Sequence, residues 1–166
     1  MTSRISIYLK FFTIISLLAS YVIGFFLREN IAGGAEQDFE RFTWPLIEAF
    51  KTNFYDTLIN YGSYGEGSLP LFHIINAYLN PFTGNKFFFQ GSIAFISILN
   101  AYVFSKIIER KYELTKIDSF LYSSIFLILP FFRSSAFWGL TENLGWLFLL
   151  LSIKNFDDYR NKNFKN

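Results

Sequence analysis

Residues 11–27, FFTIISLLASYVIGFFL, run for 17 positions without a charge, with Arg4 and Lys10 before them and Arg28-Glu29 after. A helix needs about 20 residues to cross a bilayer. Tyr8 and the apolar stem of Lys10 extend this run to that length. The stretch predicts a first transmembrane helix. A cleaved secretion signal is the rival reading, because Ala32-Gly33-Gly34-Ala35 places small residues downstream. The run is longer than the roughly 7–15 residues of a signal core, and the small residues lie beyond a charged pair. A retained helix is the better reading.

Composition agrees. Of 166 residues, 52% are hydrophobic and 22% aromatic, with 23 Phe and 10 Tyr, while only 17% are charged. A soluble domain carries about 25% charged residues, so the deficit points to lipid as the solvent and the bilayer as a partner. A net charge of +2, with basic residues at the ends of apolar segments, argues against a nucleic-acid partner. Absence of cysteine excludes disulfides and thiolate metal sites, and a single histidine excludes a multi-His zinc site. No cofactor is specified, although a divalent metal is compatible with the acidic clusters.

Outward from the first helix, residues 28–86 form a long, mostly polar segment. Within it, 42–59 has apolar residues at helical spacing (Trp44, Ile47, Phe50, Phe54, Leu58) and predicts an amphipathic helix at the membrane surface. The glycines at 62, 65 and 67 break the pattern, and 71–79 predicts a short helix, too short to cross, ending at Asn80-Pro81. Residues 87–105 are 19 uncharged positions and predict a second transmembrane helix. Residues 106–118 read as a short charged loop. Residues 119–132 and 143–153 read as two further helices, meeting in a tight turn near 132–138, and 154–166 as a polar, frayed tail.

Charge sets the orientation. The N-terminal side of this arrangement carries ten basic residues and five acids, and the other side five basic residues and eight acids. Positive charge favours the cytosol. The fold class is therefore all-α and polytopic, with about four transmembrane helices. Both termini are cytoplasmic, and a long extracytoplasmic first loop, 28–86, carries interfacial helices.

Two sets of residues carry the chemistry. Glu36, Asp38 and Glu40 alternate, so an extended strand places them on one face and a helix scatters them. Clustered carboxylates at the mouth of a membrane protein handle protons, cations or substrate hydroxyls, or form a solvated acidic surface. Glu142, between Trp138 and Trp146, is costly beside lipid unless it faces a wet cavity or a partner. Arg133 is the expected partner, either as a structural pair or as a contact for an anionic group. Glu66, in the glycine-rich stretch, reads either as an acid that moves over a substrate or as an exposed lid acid with no direct role. His73 reads as a satisfied interfacial histidine.

Three motifs in order resemble the N-terminal part of the GT-C glycosyltransferases, the multi-spanning class that includes protein mannosyltransferases and aminoarabinose transferases. They are Glu36-Gln37-Asp38-Phe39-Glu40 after the first helix, Ser68-Leu69-Pro70-Leu71-Phe72-His73 leading into a short helix, and Pro130-Phe131-Phe132-Arg133-Ser134-Ser135 before Thr141-Glu142-Asn143. The resemblance implies that Asp38 is the catalytic base and Glu142 a second catalytic acid position. It implies that Arg133 contacts the donor phosphate and that Glu36 or Glu40 stands in for the second acid of the family's pair. With Glu66 from the glycine-rich stretch, these are the candidate substrate-binding residues. It implies a polyprenyl-phosphate sugar donor, an acceptor hydroxyl of unspecified identity, and a bacterial inner-membrane location. The family's frequent Asp-Glu pair appears here as Asp38-Phe39, and its His-Pro-Pro run as Ser68-Leu69-Pro70, so His73 takes no role from it. Members of that class have many more spans, which implies one portion of a larger enzyme. The alternative function is a non-enzymatic membrane subunit or a transporter fragment.

Overall fold

A computed structural model describes the backbone of residues 2–31, 33–65, 67 and 69–163, and the side chains of 7–31, 33–65, 67 and 69–160. Glu66 lies outside the described residues. All elements among the described residues are helical.

Helix α1 spans Thr2–Phe26, and α6 spans Lys86–Lys111. Between them lie α2 (Ala35–Asp38), α3 (Trp44–Thr52), α4 (Phe54–Ile59) and α5 (Leu71–Leu79). After α6 come α7 (Lys116–Ser123), α8 (Ile125–Ile128), α9 (Pro130–Phe137) and α10 (Glu142–Asn163). Two stretches, Ile7–Phe26 and Lys86–Lys111, are long and apolar enough to cross a membrane. A third exists if Lys116–Ile128 and Pro130–Phe137 form one broken span, bent by 67°.

The two long helices have different jobs. Only 11% of the apolar window of α1 is buried within the protein, against 39% for α6. Helix α6 is the central post, packed by α7, α8, α9 and α10, while α1 leans on α7 and α8. The buried face of α6 includes Phe89, Ile93, Ser97, Asn100 and Ala101. Polar cross-links fix its neighbours: Tyr21 Oη donates to the Ala94 carbonyl at 3.1 Å, and Ser97 Oγ to the Phe126 carbonyl at 3.3 Å.

Charged residues sort to two ends. At the basic end Lys10 pairs with Asp118 at 2.6 Å, and Arg110 pairs with Asp158. These contacts bring the starts of α1 and α7 together, and the ends of α6 and α10. The acidic end holds the Arg133–Glu29 and Lys86–Glu40 pairs.

Several predicted boundaries move, each for a local reason. The charged segment 106–118 is mostly helix, because α6 continues to Lys111 and Thr115 caps α7 by accepting from Asp118 N at 3.2 Å. The tail is not frayed through its described part. Helix α10 runs to Asn163, and Asp158 accepts from Lys154 at 3.1 Å and pairs with Arg110. The turn expected at 132–138 lies later. Pro130 holds Leu129 extended (φ −60°, ψ 126°), α9 occupies 130–137, and Gly139 (φ +70°) turns the chain into α10. The helix expected over 42–59 is interrupted at Asn53, which leaves helical backbone and caps α4.

The segment 28–86 folds as a helical cap over the acidic end. Leu46, Ile47 and Phe50 of α3 are buried, and α3 packs on α5. Tyr78 Oη donates to the Phe50 carbonyl at 2.7 Å, and Lys51 Nζ to the Thr83 carbonyl at 2.6 Å. Phe39 and Trp44 rest on Phe89 of α6, with ring centroids 6.0 and 5.7 Å away. Through these contacts the cap is held by the central post.

Candidate functional site: a carboxylate cleft above a buried arginine clamp

The acidic segment is a helix rather than an extended strand, which decides where its three carboxylates go. Gly33 and Gly34 turn the chain at φ +66° and +73°, and Ala35–Asp38 then forms α2. A π-helical turn, Phe39–Thr43, joins α2 to α3. Its cause is Pro45, which has no N–H for the Arg41 carbonyl and whose ring would collide with it in a regular helix. The wider turn makes room. Ala35, Phe39 and Thr43 face inward at four-residue spacing, so Glu36, Asp38 and Glu40 fan outward.

The fanning separates their environments. Glu40 is held by Lys86 at 2.5 Å, with both side chains partly in solvent. Glu36 is exposed. Asp38 lines a cleft of about 250 Å³, with Phe42 and Thr43 on its own wall, Thr141 and Glu142 opposite, and Gly65 and Gly67 at the rim. The two acids that stand 104 positions apart in the chain therefore share one cavity.

Glu142 is fixed from behind. It opens α10, where the helix N-terminus favours a negative group. Ser135 Oγ of α9 donates to Glu142 Oε2 at 2.7 Å, and Asn143 Nδ2 donates to Ser135 Oγ at 3.1 Å. Asn100 Nδ2 of α6 in turn donates to the Asn143 carbonyl at 2.8 Å. Glu142 Oε1 has no hydrogen-bond partner among the described residues. One oxygen is anchored and the other is left for the cleft.

Arg133 does not pair with Glu142. The residue is only 8% exposed. It grips Glu29 with two parallel bonds, Nε to Oε2 at 2.7 Å and Nη2 to Oε1 at 3.0 Å. Nη2 also donates to the Ser20 carbonyl at 2.7 Å, and Nη1 to Ser20 Oγ at 3.2 Å. The chain end of α1 explains the geometry. Arg28 adopts a left-handed conformation (φ 55°), so Glu29 N bonds back to the Gly24 carbonyl at 3.1 Å and the Glu29 side chain folds toward the helix. Gly24 leaves the room: a Cβ there would stand 2.7 Å from the Glu29 carboxyl. Trp138 Nε1 closes the joint by donating to the Glu29 carbonyl at 3.0 Å. The expected phosphate contact is thus occupied by protein groups and ties α1 to α9.

His73 is fully buried, against Phe72 and hydrogen-bonded through Nδ1 to Tyr61 Oη at 3.2 Å. Burial pushes its pKa down to about 4, which keeps the ring neutral. It belongs to the core of the cap.

Sequence reasoning passed over Glu29, Gly24, Ser135 and Asn143. A glycine one turn before a charged pair at a helix end was the available signal for the clamp, and the Ser-Ser before Thr141-Glu142-Asn143 for the anchor. Among the described residues no group of three or more ligating side chains converges.

These features define an all-helical membrane protein with a carboxylate-lined cleft at its acidic end. No family model matches the chain, and neither a curated protein nor a solved structure matches it.

Proposed function

We propose that the chain forms the N-terminal membrane portion of a GT-C-like inverting glycosyltransferase. It transfers a sugar from a polyprenyl-phosphate donor to an acceptor hydroxyl on the extracytoplasmic side of a bacterial inner membrane. The observation that carries the reading is the shared cleft of Asp38 and Glu142. The Asp38 carboxylate takes the proton of the acceptor hydroxyl as its oxygen attacks the anomeric carbon. The bond from that carbon to the phosphate oxygen breaks, and polyprenyl phosphate leaves with the electron pair. Glu142, steadied by Ser135, orients the acceptor from the opposite wall. Glu66 and Glu36 are further substrate contacts in this reading. Asp38 and Glu142 would be the residues to hold a divalent cation, which would supply charge neutralisation to the departing phosphate.

This reading uses a topology of four crossings, with both termini cytoplasmic and 28–86 outside. Support comes from the two charge-sorted ends and from the parallel run of α6 and α10, whose C-terminal ends are joined through Arg110 and Asp158 at the basic end. The last crossing has a short apolar part, the 11 residues 143–153, about 16 Å of helix. A non-enzymatic membrane subunit remains the second reading. The Arg133–Glu29 clamp favours it, because a saturated ion pair joining two helices serves assembly without catalysis.

The test is transfer from a polyprenyl-phosphate sugar in membranes carrying the protein. Asp38→Asn at normal protein level loses the activity under the enzyme reading. An unchanged transfer rate in that variant overturns it.

A further inference from the structure

Two adjoining cavities lie at the basic end, where α6 and α10 run side by side. One, of about 340 Å³, is rimmed by five cations, Lys106, Arg110, Lys111, Lys154 and Arg160, against three carboxylates. The other, of about 550 Å³, shares Lys106, Arg110 and Lys154, adds the carboxylate of Glu109, and continues between Tyr102, Val103 and Leu151, so the two together hold five cations against four carboxylates. A cationic mouth therefore opens onto an apolar slot.

The mouth keeps a surplus of positive charge. Asp158 serves both Arg110 and Lys154, so one carboxylate is divided between two cations. Lys111 pairs with no carboxylate among the described residues and rests over the Tyr112 ring at 5.7 Å. Lys106 bonds Glu109 at 2.8 Å and lies 5.6 Å above the ring of Tyr102, an exposed aromatic of the kind that marks a membrane–water interface. A free phosphate fits the mouth but leaves the slot unfilled. A zwitterionic lipid fills the slot but brings its own cation into a positive mouth. An anionic phospholipid satisfies both parts.

We propose that the ends of α6 and α10 form a binding site for an anionic phospholipid. Its phosphate sits at Lys106, Arg110 and Lys154, and an acyl chain lies along Tyr102, Val103 and Leu151. The site is separate from the carboxylate cleft, and it stands or falls independently of the transfer reaction.

The full chain, purified in neutral detergent, is titrated with phosphatidylglycerol, phosphatidylcholine and inorganic phosphate. Lipid retention is read by native mass spectrometry, and stability by the thermal unfolding midpoint. Phosphatidylglycerol is retained and raises the midpoint, while phosphatidylcholine and inorganic phosphate do neither. Lys106→Gln with Lys154→Gln weakens phosphatidylglycerol binding by about fivefold per cation removed. Leu151→Trp fills the slot and weakens it as well. Asp158→Asn releases Arg110 and Lys154 and tightens binding by about fivefold, a gain that misfolding does not produce. Equal retention of the two lipids overturns the proposal. So does displacement of phosphatidylglycerol by an equal concentration of inorganic phosphate, or an Asp158→Asn protein that binds it no more tightly.

Discussion

Two sets of charges occupy the acidic end of the molecule, and they are built in opposite ways. Around Arg133 the donors are met: Glu29 takes two bonds, Ser20 takes two more, and the group is nearly sealed from solvent. Around Asp38 and Glu142 acceptors are left over: no cation pairs with either carboxylate among the described residues, and both face an open cleft. A buried charge with its partners satisfied holds helices together, and removing one partner is expensive. A carboxylate supplied with a cavity and no counter-ion is available to a substrate. The difference assigns structure to the first set and chemistry to the second.

The largest effect on stability falls at the clamp. Arg133→Ala leaves Glu29 without its fork beside lipid and costs about 3 kcal/mol or more, read as a lowered unfolding midpoint in detergent. Glu29→Gln costs less, since its neutral amide still accepts from Arg133 and the side chain is partly exposed. An Arg133→Ala protein of unchanged stability breaks the comparison from its structural side.

Next comes acid. The folded His73 has its pKa lowered to about 4, below the ordinary value of 6.5. The unfolded chain therefore binds the proton first as pH falls. The stability of the neutral, buried ring is complete above pH 6.5 and declines from there toward pH 4. The loss by pH 5 is about 2 kcal/mol. Chemical denaturation across this range checks it, and His73→Asn flattens the slope.

Gly139 connects the two regions, since it ends the helix of Arg133 and precedes the helix of Glu142. A Cβ there would lie 2.7 Å from Phe89 Cε1, in backbone of φ +70°. Gly139→Ala costs about 2 kcal/mol and shifts Glu142 against Ser135. Activity falls further than the stability loss explains, which a rate measured at full folding detects. The smallest effect is at Lys86. Its pair with Glu40 is exposed on both sides, so Lys86→Gln costs under about 1 kcal/mol and leaves transfer through Asp38 intact.

How much of this was legible in the sequence depends on how local the cause was. The apolar runs of α1 and α6 and the bounds of α5 follow from length, hydropathy and the Asn80-Pro81 stop. The sorting of charge to two ends is visible in the chain order, and the Asp38–Glu142 cleft was reachable from motif order. The partner of Arg133 was not. Glu29 looks like a flank charge of a membrane helix until the left-handed turn at Arg28 folds it over Gly24. The alternation of Glu36, Asp38 and Glu40 was ambiguous between strand and helix, and the tie was broken by Phe39 and Thr43 packing inward and by the π-turn before Pro45. Helix α10 outlasts its apolar stretch because Arg110, a residue of another helix, holds Asp158.

The division between clamp and cleft is tested most directly by one variant measured twice. Asp38→Asn preserves size and removes only the charge, in a residue with no ion-pair partner among those described. Its unfolding midpoint and its rate of sugar transfer are taken from the same preparation. The midpoint stays at the unmodified value while transfer falls by roughly 100-fold or more, the loss expected on removing a general base. A midpoint that drops in step with activity, or a transfer rate that does not change, contradicts the account.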